Sequence, residues 1–390
     1  MIPSVLPTYN RAPLSFVSGE GSWLVEKDGR RFLDFGAGIA VNALGHAHPA
    51  LVQALTDQAG KLWHVSNLYR IEPQQRLADM LVEATFADTA FFTNSGTEAC
   101  ELAVKMARKY WHDKGADRTT ILTFEGSFHG RSGAGIAAAA SEKMTRGFGP
   151  LLPGFQSLPW GDHAALRAAA AQPDVGAILI EPVQGEGGIR PLPDPCLRGL
   201  RDLCDEHGLL LILDEVQCGM GRTGKLFAHE WAGVAPDIMM LAKGIGGGFP
   251  LGAVLATEMA AQAMTAGTHG STYGGNPLAC AVGCKVMEIV ADEAFLAEVN
   301  RKAARLRQGL DGLVASHPDI FEQVRGAGLM LGLKCRAANT DVVQAGYAET
   351  LLTVPAADNV VRLLPPLTIT DADIAEALAR LDAAARQMGA

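Results

Sequence analysis

The sequence predicts an α/β protein, with a large domain on a mainly parallel sheet and a smaller α+β domain beside it. Three observations carry this. The runs Thr120–Phe124, Ala177–Ile180, Leu209–Leu213 and Ile238–Leu241 are apolar throughout rather than alternating, as strands covered on both faces are. Helical patterns separate them, the signature of strand–helix alternation. The chain's 44 glycines in 390 residues exceed the usual ~7% and cluster in short motifs.

Along the chain, residues 15 to 45 mix short strand-like pieces with turns such as Lys27-Asp28-Gly29. A helix is expected from Thr97, with Ala99, Leu102, Ala103, Met106 and Tyr110 on one face and Glu101 four residues before Lys105. The part after about residue 277 opens with a long helical pattern and continues through Val324–Leu333. It closes with a helix after Thr370, where Thr370 and Asp373 have capping-box spacing and Ile374, Leu378 and Leu381 form the apolar stripe. The expected division is an N-terminal segment 1–45 and a C-terminal part 277–390, both contributing to the small domain, around a large domain at 46–276.

Composition excludes several functions. Hydrophobic residues at 48% and charged residues at 19% exclude a disordered chain. A formal charge of −9 without a basic tract argues against nucleic acid or an anionic membrane as partner. The N-terminal stretch lacks the pattern of a signal peptide, and the most apolar run, Leu209–Leu213, is too short to span a bilayer. Seven cysteines, none in a C-x-x-C pair, suit free thiols in a reducing compartment, so the cytoplasm is expected.

Four motifs fail on inspection. Gly219 to Lys225 matches the start of a phosphate-binding loop, but Leu226 stands where magnesium needs a hydroxyl. Gly133 to Ala138 lacks the strand and acid of a dinucleotide fingerprint. His46 and His48 beside Pro49 read as a turn, and Cys280 and Cys284 as one helix face in the core, so no metal site is expected.

Other motifs converge. Lys243 follows the run Ile238–Leu241 and precedes Gly244, Gly246, Gly247 and Gly248. Desolvation there would make its amine a usable nucleophile. Asp214 ends another buried run, followed by Val216 and Gln217, and a buried carboxylate needs a cationic or donor partner. Asn94 to Glu98, with Gly96 and Thr97, places a small-residue turn at a helix N-terminus, where backbone amides and a hydroxyl attract anions. Phe128, His129 and Arg131 follow the strand Thr120–Phe124, and Ser271 and Thr272 lie on a glycine-rich loop. Alone, each has a plainer reading: a strand-end lysine reaching solvent, a structural ion pair, an ordinary N-cap, or turns. Together they describe one ligand with a phosphate, an aldehyde, a basic ring nitrogen and an aromatic face. Pyridoxal 5′-phosphate is that ligand, with Lys243 joined to the aldehyde and Asp214 facing the ring nitrogen.

At these residues the chain resembles the class III (subgroup II) pyridoxal-phosphate-dependent aminotransferases, most closely those acting on acetylornithine. The likeness includes G-S-F-H-G-R, E-P-V-Q-G-E-G-G, L-I-L-D-E-V-Q-C-G-M-G-R-T-G-K-L-F-A, P-D-I-M-M-L-A-K-G-I-G-G-G-F-P, T-H-G-S-T-Y-G-G-N-P-L-A and V-R-L-L-P-P-L, in order and nearly end to end. Cys100 departs from the asparagine usual in the family. The resemblance implies fold type I, the aspartate-aminotransferase type, and a homodimer with active sites at the subunit interface.

It also implies roles. Gln217 would hydrogen-bond the ring hydroxyl, and Val216 would pack on the ring face opposite Phe128. Gly96 and Thr97 would hold the phosphate, joined by Thr272 of the other subunit, with Ser271 near the substrate. Arg131 would grip the far carboxylate of either substrate. Arg362 would bind the carboxylate beside the reacting carbon of glutamate, and Glu186 would neutralise it when that carboxylate is absent. The implied reaction moves the δ-amino group of N2-acetyl-L-ornithine to 2-oxoglutarate. The rival readings are a relative using succinylornithine, ornithine or 4-aminobutyrate, an aminomutase or lyase on the same scaffold, and a non-catalytic binding module or nucleotide enzyme.

Overall fold

A computed structural model describes residues 2–139 and 141–389. The four apolar runs lie side by side at the centre of a seven-stranded sheet. Its order is Thr89–Thr93, Gly252–Ala256, Ile238–Leu241, Leu210–Asp214, Val175–Ile180, Thr120–Phe124, Phe155–Leu158. Gly252–Ala256 runs antiparallel to both neighbours, and the other pairings are parallel. The three strands Val175–Ile180, Leu210–Asp214 and Ile238–Leu241 are buried at every residue, which explains their continuous apolar character.

The helix expected from Thr97 spans Gly96–Asp113. The Ser95 side chain caps it, accepting from the Glu98 amide at 3.2 Å. Cys100 is fully buried on this helix among Leu102, Ala103 and Ala134, so its departure from the family pattern is a matter of core packing.

Both ends of the chain form smaller sheets. Phe16–Glu20, Trp23–Glu26 and Arg31–Asp34 pair in sequence, and Leu351–Leu352 adds in parallel to Arg31–Asp34. A second sheet has the order Phe321–Ala327, Met330–Cys335, Val360–Leu363, Val354–Ala356. The stretch 324–333 is therefore a hairpin, turning at Gly328 with φ +56°. The long helical pattern after residue 277 is two helices, Pro277–Val290 and Glu293–Ser316. Asp292 caps the second by accepting from the Phe295 amide. The final helix, Asp371–Gly389, carries the reciprocal cap expected of it: Asp373 N–H donates to Thr370 Oγ1 at 3.1 Å, and Thr370 N–H to Asp373 Oδ2 at 2.9 Å.

The glycines at 219–224 have a packing purpose. A Cβ on Gly224 would lie 2.0 Å from Asn300 Oδ1, and one on Gly219 2.7 Å from the Glu215 carbonyl. Between them Arg222 is fully buried and donates to the carbonyls of Leu329 and Pro365. Burial pushes its guanidinium down to about 9. Among the described residues no helix is long and apolar enough to cross a membrane, and no group of three or more His, Cys, Asp or Glu is arranged to hold a metal.

Candidate active site

Parallel strands that end at one edge of a sheet deliver their following loops to one place. Here the loops after Thr89–Thr93, Thr120–Phe124, Val175–Ile180, Leu210–Asp214 and Ile238–Leu241 line a cavity of about 320 Å³. Gly96, Thr97, Phe128, Asp214, Val216, Gln217 and Lys243 all face it, so seven of the sequence-predicted residues meet in one pocket.

Lys243 follows its strand after a single residue, Ala242, and opens a short 3-10 turn, Lys243–Gly246. Its backbone sits at φ +48°, a left-handed conformation that costs a non-glycine residue about 1–3 kcal/mol and that the surrounding structure must hold. Burial pushes the amine below the ordinary lysine range. The charges of Asp214 and Glu186 pull it upward, and Arg362 adds to the depression. A neutral amine is thus more accessible near physiological pH than for a surface lysine.

Asp214 is buried at the strand end. Its Oδ1 accepts from the Val216 amide at 3.0 Å and its Oδ2 pairs with His129 Nδ1 at 2.7 Å. Burial pushes His129 down, but the hydrogen bond and charge of Asp214, with the charge of Glu181, outweigh it and hold the imidazole above its ordinary range. The hydrogen bond from His129 fixes the orientation of the Asp214 carboxylate. His129 was visible in the motif but had no role there. Its signal was only its place beside Phe128.

The helix N-terminus at Gly96 forms the anion end. First-turn amides have no acceptor within a helix. A Cβ on Gly96 would lie 2.9 Å from Val216 Cγ1, so only glycine allows the helix to start this close to the pocket wall. Glu181 also lines the cavity, fully buried, and the sequence reading left it unassigned.

Beside the cavity lies an ion pair. Arg362, 1% exposed, donates from NH1 to Glu186 Oε1 at 2.6 Å and reaches Gln217 Oε1 at 3.5 Å. The remaining candidates stand apart. Arg131 is exposed, with its guanidinium carbon 5.6 Å from the centre of the Phe128 ring, and borders a separate cavity with Thr8 and Tyr9. Ser271 Oγ accepts from the Gly274 amide at 2.9 Å and from Asn94 Nδ2 at 3.4 Å. Thr272 is exposed, and neither hydroxyl lines the Lys243 cavity of the same chain.

A half-buried amine, a buried carboxylate backed by imidazole, an aromatic ring and a glycine cradle at a helix N-terminus make the donor set that pyridoxal phosphate requires. Residues 6–385 match the family model for aminotransferase class-III. The chain is 72% identical, over all of its length and 99% of the relative's, to an acetylornithine aminotransferase of Rhodobacter capsulatus. A crystal structure of N-acetylornithine aminotransferase from Stenotrophomonas maltophilia K279a superposes with a TM-score of 0.86 at 41% identity, covering 97% of each chain. One of ornithine aminotransferase from Toxoplasma gondii ME49 reaches 0.95 at 30% identity, covering 99% of this chain and 93% of that one. The chain belongs to the class III aminotransferases, enzymes that work with pyridoxal phosphate.

Proposed function

We propose that this enzyme moves the δ-amino group of N2-acetyl-L-ornithine to 2-oxoglutarate, giving N-acetyl-L-glutamate 5-semialdehyde and L-glutamate in a ping-pong cycle. The substrate assignment is supported by 72% identity across the whole chain to a relative named for that activity. The observation that carries the two-substrate mechanism is the Arg362–Glu186 pair.

The chemistry sets the problem. The reacting carbon of acetylornithine bears no carboxylate, whereas that of glutamate does. An arginine kept for that carboxylate would be left buried and unpaired in the first half-reaction, at a cost of several kcal/mol. Glu186 neutralises Arg362 during that half-reaction. Its side chain is 37% exposed against 2% for Arg362, so it is the partner free to swing away. Arg362 then takes the substrate carboxylate.

The bound cofactor supplies an electron sink for the negative charge that develops at the substrate carbon. Lys243 Nζ would take the proton from that carbon as base and then serve as the acid that returns it. Asp214, held by His129, would face the ring nitrogen. Phe128 and Val216 would pack on the ring, Gln217 would bond its hydroxyl, and Gly96 and Thr97 would hold the phosphate. Arg131, exposed outside the Lys243 cavity, would have to turn towards it to grip the distal carboxylate of either substrate.

The reading includes a cytoplasmic homodimer serving arginine biosynthesis, with Thr272 completing the phosphate site of the other subunit and Ser271 near its substrate. It is supported by the exposure of Thr272 and by large apolar side chains at the surface, among them Trp63, Leu68, Tyr69 and Tyr273. The division of the chain into 46–276 and a small domain from 1–45 and 277–390 is supported by the pairing of Leu351–Leu352 with Arg31–Asp34.

Ornithine is the second candidate donor, favoured by the 0.95 TM-score to an ornithine aminotransferase. Single-turnover kinetics on holoenzyme decides. Acetylornithine should discharge the cofactor's visible band fastest among acetylornithine, succinylornithine, ornithine and 4-aminobutyrate, and 2-oxoglutarate should restore it. Faster reaction with free ornithine, or turnover independent of the keto acid, overturns the assignment.

A further inference from the structure

Glu181 is a fully buried acid in the cofactor pocket that the mechanism above does not use. Its two oxygens are spoken for. Oε2 accepts from the Phe128 amide at 3.0 Å, and Oε1 from the Gly185 amide at 3.3 Å. One carboxylate therefore ties the loop that carries the ring-packing Phe128 to the loop that carries Glu186.

Its electrostatic setting is unusual. Among the described residues no lysine or arginine bridges Glu181. The groups that face it are His129, from the loop after Thr120–Phe124, and Asp214, at the end of its strand. Lys243 and Cys218 also feel its charge. A buried imidazole thus lies in the field of two buried carboxylates, and His129 Nε2 has no hydrogen-bond partner.

We propose that Glu181 is a positioning residue for the cofactor: it anchors the Phe128 loop and keeps the proton on His129, through which it fixes the charge Asp214 presents to the ring nitrogen. Two carboxylates cannot both stay ionised cheaply in a low-dielectric site without a shared cation. Burial, with the nearby Asp214 charge, pushes Glu181 up to about 7, while the charge of His129 and the two amide hydrogen bonds pull it down. The Glu181 charge therefore favours the protonated imidazole, and removing that charge loosens the proton from His129. The inference rests on the cofactor site and is independent of which amine donor is used.

The test is the titration of His129 in holoenzyme, read by NMR on protein labelled in the histidine rings, with the signal assigned by its loss in His129→Gln. Glu181→Gln should lower the midpoint by roughly one pH unit. Glu181→Asp, whose carboxylate is drawn back by one methylene, should lower it less, and keeps the test alive if the amide variant fails to fold. Visible circular dichroism of the bound cofactor should weaken in the same order, since the ring loses its anchored Phe128. A His129 midpoint unmoved in both variants overturns the proposal, as does a dichroism signal unchanged in both. Absence of a visible cofactor band in the wild-type protein would instead sink the cofactor site itself.

Discussion

Single residues should separate the two half-reactions of the proposed cycle. Arg362 is buried and bound to Glu186 at 2.6 Å. Glu186→Ala leaves that guanidinium without its counter-charge whenever the substrate brings no carboxylate to it. The acetylornithine half-reaction should slow about tenfold or more, for a loss of roughly 1.5–3 kcal/mol in a charged hydrogen bond. The glutamate half-reaction should be nearly spared, because its own carboxylate fills the place. Stopped-flow measurement of each half-reaction checks this, and equal slowing of both would count against the switch. Some residue-scale features had no sequence signal. Ala37, Gly38, Ile39 and Ala40 all have positive φ. Such a left-handed run costs its non-glycine members about 1–2 kcal/mol each. It is held by Asp34 Oδ1, which accepts from the Gly36 and Ala37 amides at 2.9 Å, while Oδ2 pairs with His46 Nε2 at 2.8 Å. The histidine read as part of a turn does serve one, through an aspartate twelve residues away.

At the scale of elements, the start of the Gly96–Asp113 helix is capped by Ser95 and borders the Lys243 cavity. Ser95→Ala removes the cap on the Glu98 amide and should cost about 1 kcal/mol. Thermal unfolding should fall by a few degrees in the apoenzyme, and pyridoxal phosphate should bind more weakly because the frayed first turn no longer fixes the Gly96 and Thr97 amides. An unchanged affinity by fluorescence titration would separate the cap from the anion site.

The C-terminal sheet offers a pH-dependent test. Asp358 meets Lys334 and Arg325 at 2.5 Å each, linking the turn before Val360–Leu363 to the hairpin strands 330–335 and 321–327. Hydrogen bonding to Lys334 leads the causes that hold its carboxyl down at about 2, against burial, which raises it. The unfolded chain titrates near 3.8, so the stabilisation is complete above about pH 4 and is lost as pH falls towards 2. Asp358→Asn should lower the melting temperature at neutral pH, with the gap closing over that acid range. The effect should be small, since Asp358 is 31% exposed and solvent screens the pairs.

For the molecule as a whole, the decisive prediction concerns two chains. Thr272 is exposed and absent from the cavity of its own chain, so it should act on the partner's phosphate site. Lys243→Ala and Thr272→Ala should each be poorly active alone. Co-expressed, they should form hybrid dimers in which one site combines an intact Lys243 with an intact Thr272. Purified hybrids should recover roughly half of the wild-type activity. Activity no greater than that of the Thr272 variant would place Thr272 in its own subunit's site.

The sequence by itself determined the four central strands of the large sheet, the Gly96–Asp113 helix and which residues gather at the sheet's ligand edge. A buried parallel strand must be apolar throughout, and a residue that ends one or opens the next helix is placed at the ligand edge by topology alone. Lys243, Asp214, Gly96 and Thr97 were legible for that reason. Only the tertiary structure decided which charges face each other. His129 reaches Asp214 across 85 positions and Arg362 reaches Glu186 across 176. Glu181 bonds the Phe128 amide across 53. Such pairings leave no periodicity in the chain, because they are fixed by the packing of loops from different strands, and burial then sets the proton affinity of each group.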